Sequence, residues 1–308
     1  MLIPVRTSPT SKTAICPTKK TGRCPSLGGL LQPDHTVQEE LRSEARMDVA
    51  DRVVVVTGGG NGIGRALCRR MAVESPRAII VSDYDEEAAR EVAAEIRGTA
   101  FTCDVSDERQ VQELVRFTRK EFGRVDVFCS NAGITAKGGT DLGNDVWNNI
   151  WDVNVMSHVY AARHVVPIML RQGEGCLLQT ISAAALVTEI GSAPYSVTKR
   201  AALAFAEWLS VQHGRDGLLV SCICPMGVAT EMLDEDDPIH QYLHMEALTP
   251  EQVAESVIAG LAEENFLILP HPRVAEFFEL KAEDYDRWLR GMQRLNQKLT
   301  RRRANSAA

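Results

Sequence analysis

The 308-residue chain has no apolar run near the roughly 18 residues that a spanning helix requires, so no transmembrane helix is expected. It has no excess of positive charge. The formal net charge is -7, which gives no global case for binding nucleic acid or a membrane surface. Its eight cysteines (16, 24, 68, 103, 129, 176, 222 and 224) include no CxxC pair, so no zinc site is expected. Several lie inside apolar runs, as Cys129 does in VDVFCS, and read as small buried hydrophobes of a reducing compartment rather than as disulfides. Acidic residues are missing from the first 33 positions, which carry five basic ones (Arg6, Lys12, Lys19, Lys20 and Arg23) among many Pro, Ser and Thr. Such a segment buries too little apolar surface to order itself. No apolar stretch follows its basic residues, which excludes a secretory signal. Residues 1–46 are therefore read as a disordered upstream extension, with Met47 as the natural start, or as a targeting segment. The first reading gives a cytoplasmic protein and the second an organelle-matrix one.

What is present is enough apolar material, 44%, for a sizeable core. From Asp51 onward, short β-branched runs alternate with helical stretches. Strands are expected at 52–57, 78–83, 100–105, 125–130, 175–181, 218–224 and 266–269. Helices are expected at 62 to about 74 and at 86–97, with Ser106 a candidate cap for the helix after the third strand. This alternation predicts an α/β fold, a doubly wound parallel sheet of the Rossmann type, in one domain over 47–270. Residues 271–308 read as a C-terminal helical extension. Phe277, Leu280, Trp288, Leu289, Met292 and Leu295 fall largely on one stripe, which predicts a docked terminal helix or a subunit contact.

The turn after the first strand reads TGGGNGIG, Thr57 to Gly64. Glycines there let backbone approach a pyrophosphate, and the next helix aims its first N–H groups at the phosphates. The spacing is not GxGxxG; what fits is Gly58, three residues, then Gly62, Ile63 and Gly64. Asp83 ends the second strand 21 residues beyond Gly62, where a carboxylate binds the adenosine ribose and repels a 2′-phosphate. NAD is therefore the expected cofactor. Asp85 lies beyond the strand end and reads as a surface residue.

These residues, with those that follow, resemble the short-chain dehydrogenase/reductase family over about residues 53 to 270. The family's TGxxxGxG matches Thr57–Gly64, and its adenine-contacting Asp-apolar pair matches Asp104 and Val105. Its NNAG appears as Ser130, Asn131, Ala132 and Gly133, with Ser in the first place. A helix Asn matches Asn154, the active-site Ser matches Ser182, and the YxxxK pair is Tyr195 and Lys199, thirteen residues after that Ser. After the sixth strand, Pro225 and Thr230 are kept, while Met226 replaces a glycine and is expected to line the substrate pocket.

The resemblance implies alcohol oxidation or ketone reduction with Asn154, Ser182, Tyr195 and Lys199 as catalytic residues. Tyrosine is a poor base near neutrality, with a usual pKa of about 10. A lysine one helical turn away favours the phenolate, so Lys199 is expected to draw Tyr195 down. Ser182 orients the substrate oxygen, and Asn154 supports a relay water. The cofactor side comprises Gly58, Gly62, Ile63, Gly64, Asp83, Asp104, Val105, Asn131, Ala132, Gly133, Tyr195, Lys199 and Thr230. The substrate pocket is expected from residues 183–192, the start of the helix after Gly133, and a lid at 228–248 holding Met232, Leu233, Tyr242, Leu243 and Met245 around an acidic stretch, 235–237. No basic residue obviously faces it, which predicts a small-molecule partner, a neutral and fairly apolar secondary alcohol or ketone. Family members are commonly dimers or tetramers, so a homo-oligomer is expected. The rival readings are an NADPH-dependent carbonyl reductase and a non-catalytic dinucleotide-binding scaffold.

Overall fold

Four consecutive valines open the sheet. In the computed structural model, β1 (Val53–Thr57) has Val53 to Val56 at 0% exposure, as a strand covered on both faces requires. Burying each contributes roughly 1.5–3 kcal/mol before chain entropy is charged. The structure describes residues 47–233, 241 and 246–306. The N-terminal segment 1–46 and the centre of the expected lid, with Glu235–Asp237, Tyr242, Leu243 and Met245, lie outside the described residues.

The elements then alternate. They are α1 (Gly62–Ala72), β2 (Ala78–Asp83), α2 (Glu86–Ile96), β3 (Thr99–Thr102), α3 (Glu108–Phe122) and β4 (Val127–Ser130). Next come α4 (Asn144–Trp151), α5 (Ser157–Gln172), β5 (Gly175–Thr180), α6 (Ala184–Val187), α7 (Ala193–His213) and β6 (Leu218–Ile223). The chain closes with α8 (Pro250–Ala262), β7 (Leu267–Ile268), α9 (Arg273–Glu283) and α10 (Tyr285–Ser306). The seven strands pair in parallel, in the order β3-β2-β1-β4-β5-β6-β7. One apolar core lies on each face of the sheet. The fold is the expected Rossmann-type doubly wound sheet. Its strand order reverses between β1 and β4, which opens a crevice at their carboxyl ends.

Two local expectations are corrected. Ser106 does not cap α3; Asp107 does, accepting from the Arg109 N–H at 2.9 Å. Ser106 instead donates to Asp104 Oδ1 from both its N–H and its hydroxyl, a shared acceptor that folds the chain away from the sheet. For that reason β3 ends at Thr102, and Asp104 and Val105 sit in the turn beyond it. Asp85 caps α2, accepting from Glu87 and Ala88 N–H groups. No helix of the described residues is long and apolar enough to cross a membrane. The described cysteines are buried free thiols.

Candidate active site

The crevice begins where Gly58 meets Ala132. Gly58 has φ +61°, and a Cβ there would lie 2.9 Å from the Ala132 backbone. A Cβ on Gly64 would fall 1.9 Å from the Gly58 carbonyl oxygen, so the turn closes onto the helix start only with glycine. Asn61 precedes α1 without a side-chain cap bond, and no acidic residue stands in the first turn. The leading N–H groups of α1 thus keep an anion-binding character.

Asn131 ties this turn to two strands. Its Nδ2 donates to the carbonyls of Thr57 at 3.0 Å and Gly58 at 3.2 Å. Its Oδ1 accepts from the Thr180 hydroxyl at 2.9 Å, and its N–H donates to Thr57 Oγ1. Asn131 therefore works as a brace between β1, β4 and β5, a role that Thr57 and Thr180 share. Asp83 is also a brace. Its Oδ2 accepts from Gly60 N–H at 2.9 Å and its Oδ1 from Asp85 N–H at 3.1 Å. It is buried yet still borders the cavity.

A cavity of about 1620 Å³ runs from the glycine turn to α9 and α10. Gly58, Gly62, Ile63, Asp83, Asp104, Val105, Asn131, Ala132, Gly133 and Thr230 line one part of it, and Ser182, Tyr195 and Lys199 line another. Gly64 packs behind the turn. Asn154 is fully buried and does not reach the cavity surface.

Asn154 sits in a π-helical turn, Asp152–Met156, between α4 and α5. The widened turn carries its amide to Ile134, which it grips at both ends: Oδ1 accepts from Ile134 N–H and Nδ2 donates to Ile134 O, each at 2.9 Å. A third bond runs from Nδ2 to Thr198 Oγ1 at 3.2 Å. A Cβ on Gly133 would lie 3.2 Å from Lys199 Nζ and 3.3 Å from Asn154 Oδ1, so both groups flank one bare backbone position.

Tyr195 opens the first turn of α7, where Ser192 caps the helix and Pro194 fixes its start. Burial pushes its phenol up, and the nearby Glu189 carboxylate pushes the same way; a hydrogen bond with Ser182 opposes them. Burial likewise lowers the Lys199 ammonium to about 8. The expectation that Lys199 draws the phenol down is therefore corrected for the protein alone. Desolvation is the largest influence on both groups in this buried site. His158 lies one helical turn beyond Asn154, at 1% exposure, and burial, aided by the Lys199 charge, lowers it to about 3.

Three features were not readable from the sequence. His271 fixes the turn after β6 by accepting the Met226 N–H at Nδ1, 3.1 Å, while its Nε2 faces Glu246 O. Met226 lines the cavity, as expected. Arg273, Arg287 and Arg294 also border it, contrary to the reading that no basic residue faces the site. They arrive on α9 and α10. The apolar stripe expected to dock or to contact a subunit turns, for Phe277, Leu280, Trp288, Met292 and Leu295, toward this cavity. Leu289 does not join it.

Comparison with known proteins gives the same reading. The family model for short chain dehydrogenase matches residues 52–239. Meso-2,3-butanediol dehydrogenase of Serratia marcescens is 31% identical over 225 residues, covering 70% of this chain and 88% of that protein. The 1-deoxy-11-beta-hydroxypentalenate dehydrogenase of Streptomyces exfoliatus is 36% identical over 196 residues, 61% of this chain and 71% of its own. The crystal structure of a short chain dehydrogenase/reductase from Burkholderia phymatum in complex with NAD matches with a TM-score of 0.72 at 26% identity, covering 78% of this chain and 95% of that one. With its parallel sheet, glycine turn and Ser-Tyr-Lys cavity, the chain belongs to the short-chain dehydrogenase/reductase family.

Proposed function

We propose that this oxidoreductase is NAD(H)-dependent and interconverts a secondary alcohol and a ketone. The observation that carries the reading is the convergence of Ser182, Tyr195 and Lys199 on the cavity that Gly58 and Asp83 border. The Burkholderia relative is described with NAD, and the Serratia relative is named for a secondary diol.

The residues present fit a dinucleotide. The bare turn at Gly58, with Gly62, Ile63 and Gly64 at the start of α1, offers backbone to the pyrophosphate. Asp83 would hold the adenosine ribose and disfavour a 2′-phosphate there. Asp104 and Val105 would flank the adenine, with Asn131, Ala132 and Gly133 beneath the middle of the dinucleotide. Thr230, which stands against Gly62, would serve the carboxamide, and Lys199 with Tyr195 the nicotinamide ribose. When bound, the nicotinamide supplies hydride exchange.

The chain's own groups manage the proton. The Ser182 hydroxyl donates to the substrate oxygen and holds it beside Tyr195. The Tyr195 oxygen exchanges the proton of the substrate hydroxyl, as a general acid in reduction and as a base in oxidation. Its raised affinity for the proton in the free protein suits it to wait as an acid. Lys199 offsets charge that develops on the phenol oxygen, and Asn154 fixes the backbone next to it through Ile134. Tyr195→Phe should cut ketone reduction by about 10²–10⁴-fold, a loss far larger than any change in NADH binding. Retained turnover would remove Tyr195 from this role.

Self-association as a dimer or larger assembly remains part of the reading. The support is an exposed apolar stripe on α7, with Val197 48%, Trp208 56% and Val211 88% exposed. A sedimentation experiment showing only monomer would contradict it. The buried free thiols support a reducing compartment.

A further inference from the structure

We infer that the C-terminal pair α9–α10 is the outer wall of the substrate compartment, and that it fits the site to a bulky apolar alcohol or ketone. This inference rests on the reaction proposed above and names its substrate class.

The wall lies outside the family match, which ends at 239, whereas α9 begins at Arg273. The two helices are separate because Asp284 leaves helical geometry (φ -147°). The break lets both present one face to the same space. Phe277 and Leu280 on α9, and Trp288, Met292 and Leu295 on α10, all border the cavity that holds Ser182 and Tyr195. Their spacing, three on α9 and four then three on α10, places them on one stripe of each helix. Phe277 and Trp288 meet across the break with ring centroids 5.9 Å apart, which makes one aromatic surface of two helices.

The opposite side is apolar as well, with Val153, Val187, Ile190 and Met226 among the lining residues. Leu280 is 54% exposed although it faces the cavity. Among the described residues this apolar area is open, and a hydrocarbon body would cover it. The space exceeds the roughly 300–1,000 Å³ of a site for one drug-sized ligand, which leaves room for a large substrate beside a dinucleotide. Charges of both signs share the border near the wall, Arg273, Arg287 and Arg294 with Glu189, Glu231, Glu283 and Asp284, and Arg273 pairs with Glu246. That arrangement does not select a strongly charged substrate.

Lys281 fastens the wall to the catalytic frame. It is 3% exposed, and its ammonium donates to Leu186 O at 2.6 Å. Leu186 lies in α6, directly after the segment that carries Ser182. Arg200 from α7, one residue beyond Lys199, donates to the same carbonyl at 3.1 Å. The Tyr285 ring, 5.1 Å from the Lys281 nitrogen, covers the group from α10. Lys281 is thus a positioning residue. It registers the apolar wall against the Ser182 and Tyr195 elements and acts through them.

The test uses the full chain with NADH and two ketones, cyclohexanone and the fused-ring decalone. The wild type should prefer decalone in kcat/KM by about 10-fold or more, the range that added hydrocarbon gives in a fitted apolar pocket. Trp288→Ala and Lys281→Met should each remove most of that preference through KM. In both variants the loss should fall on decalone more than on cyclohexanone. A wild-type preference for cyclohexanone, or an unchanged preference in Trp288→Ala, would overturn the inference. Binding is read separately from turnover. Decalone should change a tryptophan fluorescence component that is lost in Trp288→Phe. If neither ketone turns over but decalone gives this signal, the reaction fails and the wall stands. Absence of the signal overturns the wall, whatever the chemistry.

Discussion

Lys199 donates its ammonium to the Thr180 carbonyl oxygen at 2.9 Å, and the same nitrogen lies 5.6 Å from the centre of the Tyr195 ring. The cation is tied to the end of β5 and held over the ring of its helical neighbour. A lysine anchored in this way loses rotamer freedom during folding rather than at the reaction step.

This placement gives a pH prediction. In ketone reduction the phenol must carry a proton, and burial favours its protonated form. The group that titrates is Lys199, lowered to about 8 by burial. Its cationic form prevails below that value and is lost above it. For ketone reduction, kcat/KM should be flat at lower pH and fall above pH about 8. In Lys199→Arg the fall should move to more alkaline pH, because guanidinium stays charged. An identical alkaline limb in the variant would assign it to another group.

His158 gives a second prediction, in stability. Its ordinary value is 6.5, and burial lowers it to about 3 in the fold. The unfolded chain therefore takes up a proton that the native ring refuses. The contribution is fully present above pH about 6.5 and is lost as pH falls toward about 3. The slope is about 1.4 kcal/mol per pH unit. His158→Leu should escape this loss. Its urea stability relative to wild type should improve by about 2 kcal/mol between pH about 7.5 and about 5. A difference that does not change with pH would show that His158 accepts its proton in the folded protein.

The parts of the site legible in the sequence are those written in consecutive residues. The valine run of β1 declares a buried strand, Thr57–Gly64 declares a phosphate turn, and Tyr195 and Lys199 share a helix face by spacing alone. What stayed hidden depends on residues far apart. The bonds of Asn131 to Thr57 and Thr180 form only when β1, β4 and β5 assemble. The π-turn that redirects Asn154 leaves no mark on periodicity, because one wider turn does not break the apolar pattern of α4 and α5. The stripe on α9 and α10 was visible as apolar, but periodicity does not say what an apolar face covers. Ser106 and Asp107 are both good capping residues, and the sequence cannot rank them. Asp104 decides, by occupying the Ser106 hydroxyl.

The central claim is that this cavity holds NAD(H), chosen by Asp83. The most direct measurement is a fluorescence titration of the purified protein with NADH and with NADPH, on wild type and on Asp83→Asn. Asparagine removes the charge and keeps one acceptor, for the Gly60 N–H that Asp83 now holds at 2.9 Å, while giving up the bond from the Asp85 N–H at 3.1 Å. The account predicts tight NADH binding and weak NADPH binding in wild type, with the gap narrowed by about 10-fold or more in the variant, as loss of a close charge repulsion of about 1.4 kcal/mol or more requires. Preferential binding of NADPH by wild type, or a gap indifferent to Asp83→Asn, would contradict it.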